Sequence, residues 1–372
     1  MTSIRASKVV TPEKVILNGV LVFDDVSGLI TDIVEDQNFD ADLSTDAVLI
    51  PGFVDIHCHG GGGFSFDDSM NAATAAEYHL SHGTTSVLAS LVSAPVSKQV
   101  ALLSELASLV ENEVIAGIHL EGPFLSSAKC GAQNPTFLTS PDAESVKSII
   151  SSANGNLKMI TIAPELDGAL AATKEFVKND VVVALGHSDA TSEIAIAATD
   201  AGASVVTHLF NAMRPLHHRD SGLADVALTD SRLFVELITD GKHVGDLSIS
   251  LAQTAKKRQF IAVTDAMSAA GMPDGEYKLG GLTVTCEDDV AVIAGTTTLA
   301  GSTLNMERIF ERLLNVYNFD VVEACWATAT APAKAVGLFD VGSIEVGKRC
   351  NFVLWKDGIK AVYKNGNLVR QN

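Results

Sequence analysis

Pro51-Gly52-Phe53-Val54-Asp55-Ile56-His57-Cys58-His59-Gly60 is the stretch on which the reading of this chain turns. Residues 53–57 read as a short apolar strand. Side chains alternate along a strand, so His57 and His59 point to the same face. Taken alone, such a pair is as easily surface or core chemistry as a metal site. The pattern that follows changes its weight. Short runs rich in β-branched residues alternate with longer segments of helical period. Strands are expected at 53–57, 85–89, 114–120, 157–163, 181–185, 204–208, 233–238 and 260–264. The intervening helices are clearest at 95–110, where Val96, Val100, Leu103, Ala107 and Val110 share one face, and after Ser140-Pro141, read as a cap followed by proline at the first helical position. Eight strand–helix units argue for α/β architecture closed as a (β/α)8, TIM-like barrel. An open doubly wound sheet is the structural runner-up, but it would normally carry a GxGxxG turn after its first strand, and Gly60–Gly63 lacks that spacing.

The polar residues that interrupt this apolar pattern fall at the C-terminal ends of the expected strands. His57 and His59 close the first, Glu121 the third, His187 the fifth, His208 the sixth and Asp265 the eighth. A lone His187 or His208 could be a hydrogen-bonded core histidine, Glu121 a helix cap and Asp265 a turn residue. Six ligands or bases at the same end of five strands are a different matter, because in a barrel those ends converge on one face. Four imidazoles and a carboxylate are the donors zinc or ferrous iron prefers, whereas magnesium or calcium would want mostly oxygen.

The outer segments differ. Residues 14–23, 29–34 and 48–50, with Asn18-Gly19 as a hairpin signal, and the runs 351–355 and 359–363 followed by Asn365-Gly366, read as pieces of one small all-β unit. Neither end has enough apolar surface to stand alone, so the two are expected to pair. The domains are therefore expected to be a small β-sandwich from 1–50 plus 337–372 and a catalytic barrel at 51–336.

The chain has 372 residues, 47% of them apolar, with 26 Lys and Arg against 45 Asp and Glu, a formal net charge of −19. Such a chain repels nucleic acid and anionic membrane at long range, so neither is expected as a partner. No stretch reaches the length of a membrane span, and Met1-Thr2-Ser3-Ile4-Arg5 does not open an apolar run long enough for a secretory signal. Cys58, Cys130, Cys286, Cys325 and Cys350 are scattered, odd in number and without a CxxC pair, which suits a reducing cytoplasm.

The first-strand stretch resembles the signature of the amidohydrolase superfamily. His119-Leu120-Glu121-Gly122-Pro123-Phe124, Gly186-His187-Ser188, Thr207-His208-Leu209-Phe210-Asn211-Ala212-Met213, Thr264-Asp265-Ala266-Met267 and Leu299-Ala300-Gly301-Ser302 resemble one family in it, the N-acetylglucosamine-6-phosphate deacetylases, from about Pro51 to the C-terminus. The resemblance implies a barrel with a small β-sandwich built from both chain ends. It implies that Glu121, His187 and His208 hold one divalent transition-metal ion, zinc or iron, and that His57 and His59 hold a second with Glu121 bridging. It implies hydrolysis of an acetamide by a metal-activated water, with Asp265 as base and then acid, helped at the oxyanion by His243. The phosphate site it implies comprises Asn211, Ala212, His243 and Arg219, whose planar fork suits a phosphate and which would come from the neighbouring subunit of a homodimer.

This sequence departs from the family at Gln133, where a histidine often touches a sugar hydroxyl; glutamine can still donate and accept there. Cys130, in the same loop, reads as a small packed residue; the sharper reading is a thiol on a mobile lid at the mouth of the site. The alternatives to N-acetylglucosamine 6-phosphate are another N-acetylated amino-sugar phosphate, such as N-acetylgalactosamine 6-phosphate, and a catalytically silent barrel serving as a scaffold.

Overall fold

The structure is a computed structural model describing residues 1–36 and 38–371. Eight parallel strands form a nearly closed barrel: β1 (Phe53–Cys58), β2 (Thr84–Leu91), β3 (Gly117–Glu121), β4 (Leu157–Ile162), β5 (Val182–Leu185), β6 (Val205–Val206), β7 (Phe234–Ile238) and β8 (Phe260–Val263). All eight expected strands are present, each shifted by no more than a few residues. Each pairs in parallel with its successor along the chain. The ring is joined between the last residues of β1 and the segment just past β8, where the Asp265 N–H donates to the His57 carbonyl at 2.8 Å and Cys58 bridges Ala266 in parallel. A helix follows each of the first seven strands, as parallel neighbours require.

Two helix expectations need correction. The segment expected as one helix over 95–110 is two, Val96–Glu105 and Ala107–Glu111, broken at fully buried Leu106, whose ψ of −9° departs from helical geometry. The next helix, Ala143–Ala153, begins not at Ser140-Pro141 but behind Asp142. The Asp142 carboxylate accepts from the N–H groups of both Glu144 and Ser145, closing two of the helix's free donors. Val146, Ile149 and Ala153 form its buried face.

Contacts divide the chain into two compact units: Met1–Asp55 with Tyr78–Ser86 and Asn305–Asn372, and Ile56–Glu77 with Val87–Leu304. In the first, both chain ends share a six-stranded sheet. Val48–Pro51 pairs in parallel with Lys8–Val10 on one side and antiparallel with Phe352–Trp355 on the other. A four-stranded sheet containing Thr2–Arg5 and Val20–Phe23 supplies the second layer, and side chains from both sheets, among them Ile4, Phe23, Leu49 and Phe352, make a common core. Asn18-Gly19 is not a hairpin. Val15–Leu17 pairs with Lys8–Val10 in the larger sheet, while Val20–Phe23 pairs with Thr2–Arg5 in the smaller one. The turn therefore carries the chain from one layer to the other. Asn18 takes the left-handed φ of 52° it needs, and a Cβ on Gly19 would lie 2.9 Å from Ile16.

Phe352 is fully buried and stacks on Tyr363, with ring centroids 4.3 Å apart and planes 12° from parallel. Phe352→Ala is expected to cost the terminal unit about 3–5 kcal/mol by opening a cavity between its layers, measured as a lowered denaturant midpoint with an unchanged slope.

Candidate metal and catalytic centre

At the C-terminal end of the barrel the six residues expected from the sequence meet. Their delivery depends on abrupt turns after the strands. Gly186 directly follows β5 at a point where a Cβ would sit 2.7 Å from Thr207, and the next residue, His187, turns left-handed with φ 47°. His208 and Asp265 also have positive φ, 28° and 46°, which is costly for residues with side chains and is held by the surroundings. The Asp265 backbone is fixed from both sides, its N–H on the His57 carbonyl and its carbonyl accepting from the Ser302 N–H at 2.7 Å. The 187–189 turn is fixed by Glu165, which accepts from Ser188 Oγ at 2.7 Å and from the Asp189 N–H at 2.6 Å.

Glu121 is the centre of the arrangement. Its Oε1 lies 3.0 Å from the Nε2 atoms of both His187 and His208 and 3.5 Å from that of His57, while its Oε2 lies 3.2 Å from His59 Nε2. Asp265 Oδ1 lies 3.3 Å from His59 Nε2 and 3.5 Å from His57 Nε2. His57, His59 and Glu121 form one group whose donor atoms are all close enough to hold a single ion; Glu121, His187 and His208 form another.

The partners of the remaining ring nitrogens test whether a cation fits. His59 Nδ1 is 3.0 Å from the Ser90 carbonyl and His187 Nδ1 is 2.9 Å from the Lys129 carbonyl. A carbonyl only accepts, so each Nδ1 carries the proton and, in the neutral ring, each Nε2 turns a bare lone pair toward Glu121. Ring nitrogens also converge on one another: His57 Nε2 is 3.2 Å from His59 Nε2, and His187 Nε2 is 3.0 Å from His208 Nε2. Acceptors facing acceptors at these distances need protons or cations between them. The donor set fits a divalent metal.

Without a cation the site holds protons. Burial lowers the His59 pKa, but hydrogen bonds to Asp265 and Glu121 outweigh it and raise it to about 9. Burial likewise opposes, and the carboxylates of Asp265, Glu121 and Glu236 outweigh it to raise, the His57 pKa well above its ordinary value. Glu121 and Asp265 are both held below the ordinary carboxylate values, since nearby histidines outweigh the opposing effect of burial.

Beside the centre lies a cleft of 310 Å³ lined by Gln133, Asn211, Ala212, His243, Thr297, Thr298 and Leu299 together with His59, Glu121, His187, His208 and Asp265. Gln133 is buried and committed: Nε2 donates to Glu121 Oε2 at 2.5 Å and Oε1 accepts from the Ser93 N–H at 2.8 Å. Of the two backbone N–H groups the sequence offers to an anion, that of Asn211 is already taken by the His208 carbonyl at 3.0 Å. His243 Nδ1 lies 2.7 Å from Asp240, whose charge outweighs burial and raises the His243 pKa. Arg219 is exposed and does not line this cleft, and no lining residue is lysine or arginine. Cys130 is partly exposed and follows the short helical turn Ser127–Lys129.

The sequence reading missed the layer beneath. His119, two residues before Glu121, is buried between Ser90 Oγ and Thr161 Oγ1, each at 2.9 Å, and Thr161 Oγ1 continues to Thr207 Oγ1 at 2.9 Å. Burial, then the charge of His57, holds the His119 pKa well below its ordinary value. Glu236 sits in the middle of β7 against His57 Nδ1 at 3.0 Å. A charged residue amid Phe234-Val235-Glu236-Leu237-Ile238 was the available signal.

The Amidohydrolase family profile matches residues 48–369. An N-acetylglucosamine-6-phosphate deacetylase of Bacillus subtilis (strain 168) is 35% identical over 94% of this chain and 92% of its own. An N-acetylgalactosamine-6-phosphate deacetylase of Escherichia coli O157:H7 is 34% identical over 84% of each. Among solved structures, that of an N-acetyl-D-glucosamine-6-phosphate deacetylase from Mycobacterium smegmatis, an aspartate-to-alanine variant in complex with N-acetyl-D-glucosamine-6-phosphate, superposes with a TM-score of 0.96 at 37% identity, covering 99% of each chain. With the profile spanning the barrel and these relatives spanning nearly the whole polypeptide, the chain belongs to the amidohydrolase family.

Proposed function

We propose that the protein hydrolyses the acetamide of N-acetylglucosamine 6-phosphate to glucosamine 6-phosphate and acetate. The observation that carries this reading is the Glu121 carboxylate set between two pairs of imidazoles with Asp265 on the cleft side of the same cluster. Glu121, His187 and His208 would hold one divalent ion, zinc or iron, and His57 and His59 a second with Glu121 shared. Such an ion supplies Lewis acidity and makes water acidic near neutral pH. The residues of the chain then handle orientation and protons. Asp265, kept ionised by His57 and His59, takes the proton of the attacking water at its carboxylate and delivers it to the departing nitrogen, since an amine leaves only once protonated. His243, held by Asp240, faces the cleft and is suited to the developing oxyanion or the phosphate. Gln133 orients Glu121 through its 2.5 Å hydrogen bond.

A phosphate needs a cation, and the cleft lining offers no lysine or arginine. Arg219 is exposed and outside the lining, so the active form is proposed to be a homodimer in which Arg219 is contributed across the interface. The five free cysteines, four of them buried, suit work in a reducing cytoplasm. No helix among the described residues is long and apolar enough to cross a membrane. The E. coli relative favours N-acetylgalactosamine 6-phosphate as the second reading; parallel kinetics on N-acetylglucosamine 6-phosphate and N-acetylgalactosamine 6-phosphate separate the two.

The direct test is acetate release from purified protein by Asp265→Asn. We expect kcat to fall by about 10²–10⁴ with metal content unchanged; near-normal turnover at full loading would remove Asp265 from the chemistry. Arg219→Ala is expected to raise KM for the phosphorylated sugar and leave an unphosphorylated analogue untouched, and equal losses on both would contradict a phosphate contact. Protonation supplies the third test. The metal-free His59 pKa of about 9 lies above its ordinary value of 6.5, so a cation must expel a proton throughout the neutral range. Zinc affinity of chelator-treated protein should weaken about tenfold per unit from pH 9 to pH 7 for each proton displaced. The stabilisation that proton gives the metal-free fold is complete below pH 6.5 and is lost as pH rises through 9, so the Tm of metal-free protein should fall across that window; a flat profile in both measurements would refute the pairing.

A further inference from the structure

We infer that Glu236 is the positioning residue that makes the His57–His59 half of the centre able to hold its cation. The inference rests on the two-position reading above and deepens it. Glu236 lies midway along β7 with no exposed surface, flanked by Val235 and Leu237, which are also buried. A carboxylate so placed is costly unless something requires it. Elsewhere in the barrel interior, Thr161 of β4 and Thr207, the residue after β6, are buried hydroxyls that hydrogen-bond to each other at 2.9 Å. The hydrogen bonding of Glu236 is one-sided. Oε2 accepts from His57 Nδ1 at 3.0 Å and from the His208 backbone N–H at 3.3 Å, while Oε1 has no hydrogen-bond partner among the described residues.

This geometry fixes a tautomer. A carboxylate at Nδ1 keeps the His57 proton there and turns the Nε2 lone pair toward His59 and Glu121. The other rings are held differently. His59 and His187 donate Nδ1–H to backbone carbonyls, and His208 Nδ1 is buried without a partner. His57 alone among the four is backed by a charge, which makes its Nε2 the better donor. The contact with the His208 N–H further ties the β7 side chain to a residue with φ 28°. Glutamine at 236 keeps the volume and an oxygen for that N–H, so Glu236→Gln removes the charge behind His57 with little else changed.

The experiment titrates metal-free protein with zinc against a chromophoric chelator, with bound metal counted by mass spectrometry. Wild type should take two equivalents. Glu236→Gln should bind one of them about 10–100-fold more weakly and the other within about threefold. In a His57→Gln background the same substitution should change nothing further, because its effect runs through His57. Unchanged affinity at both positions in Glu236→Gln, or an equal loss with and without His57, overturns the inference. A second measurement needs no variant: nitrogen NMR of the zinc-loaded wild type should show His57 protonated at Nδ1, and a proton at Nε2 overturns the inference as well. A wild type that takes up no second equivalent at saturating zinc would instead overturn the two-position reading before Glu236 is touched.

Discussion

Four imidazole nitrogens facing one buried carboxylate make an arrangement that folding alone would avoid. In the neutral rings the lone pairs of His59 and His187 must point at Glu121, because their other nitrogens donate to fixed backbone carbonyls. Oxygen and nitrogen lone pairs 3.0–3.5 Å apart repel unless something positive lies among them. Protons do this in the metal-free protein, at the expense of histidine pKa values far from their ordinary range. A divalent cation does it better, since it satisfies several donors at once. The rest of the barrel can be understood as the framework that keeps this unfavourable convergence from relaxing.

That framework is layered. Beneath the centre, Ser90, His119, Thr161 and Thr207 form a linear chain of hydrogen bonds in which each buried polar side chain has a partner. It presses against the ligand layer, with the His119 ring edge-on to His57 at 4.7 Å. Beside the centre, Gln133 and Ser93 hold the Glu121 carboxylate and its backbone carbonyl. Apart from the centre itself and His243, the cleft is lined with hydroxyls, amides and apolar groups. Charge is thus unevenly distributed: the ring of strand ends concentrates it, and away from that ring His243 is the titratable side chain that the lining offers.

Much of this was legible because five of the eight barrel strands end with a polar residue that the apolar run does not explain. His57, His59, Glu121, His187, His208 and Asp265 all stood at such ends. Glu236 and His119 did not stand out. They lie inside strands, and a rule that looks for polarity at strand ends passes over polarity in the middle. Local turn chemistry misled in two places. Asn18-Gly19 has the residues of a hairpin, but whether the flanking strands pair with each other depends on long-range partners, and here Lys8–Val10 and Thr2–Arg5 compete successfully for them. Ser140-Pro141 has the residues of a helix start, but Asp142 supplies a carboxylate to two N–H groups at once. The role of Gln133 was readable only as a hydrogen-bonding side chain; that both ends of its amide are already engaged depends on the loop that brings it over Glu121.

The left-handed backbone at His187, His208 and Asp265 comes at the expense of stability. Each of these positions stores conformational strain that a glycine would release, and the Glu121 cluster adds electrostatic repulsion that disappears when the imidazoles do. Glycine at these three turns would release both the strain and the repulsion, and on the proposed function it would remove two metal ligands and the proton-transfer carboxylate with them. On that function, stability and turnover pull in opposite directions at this rim.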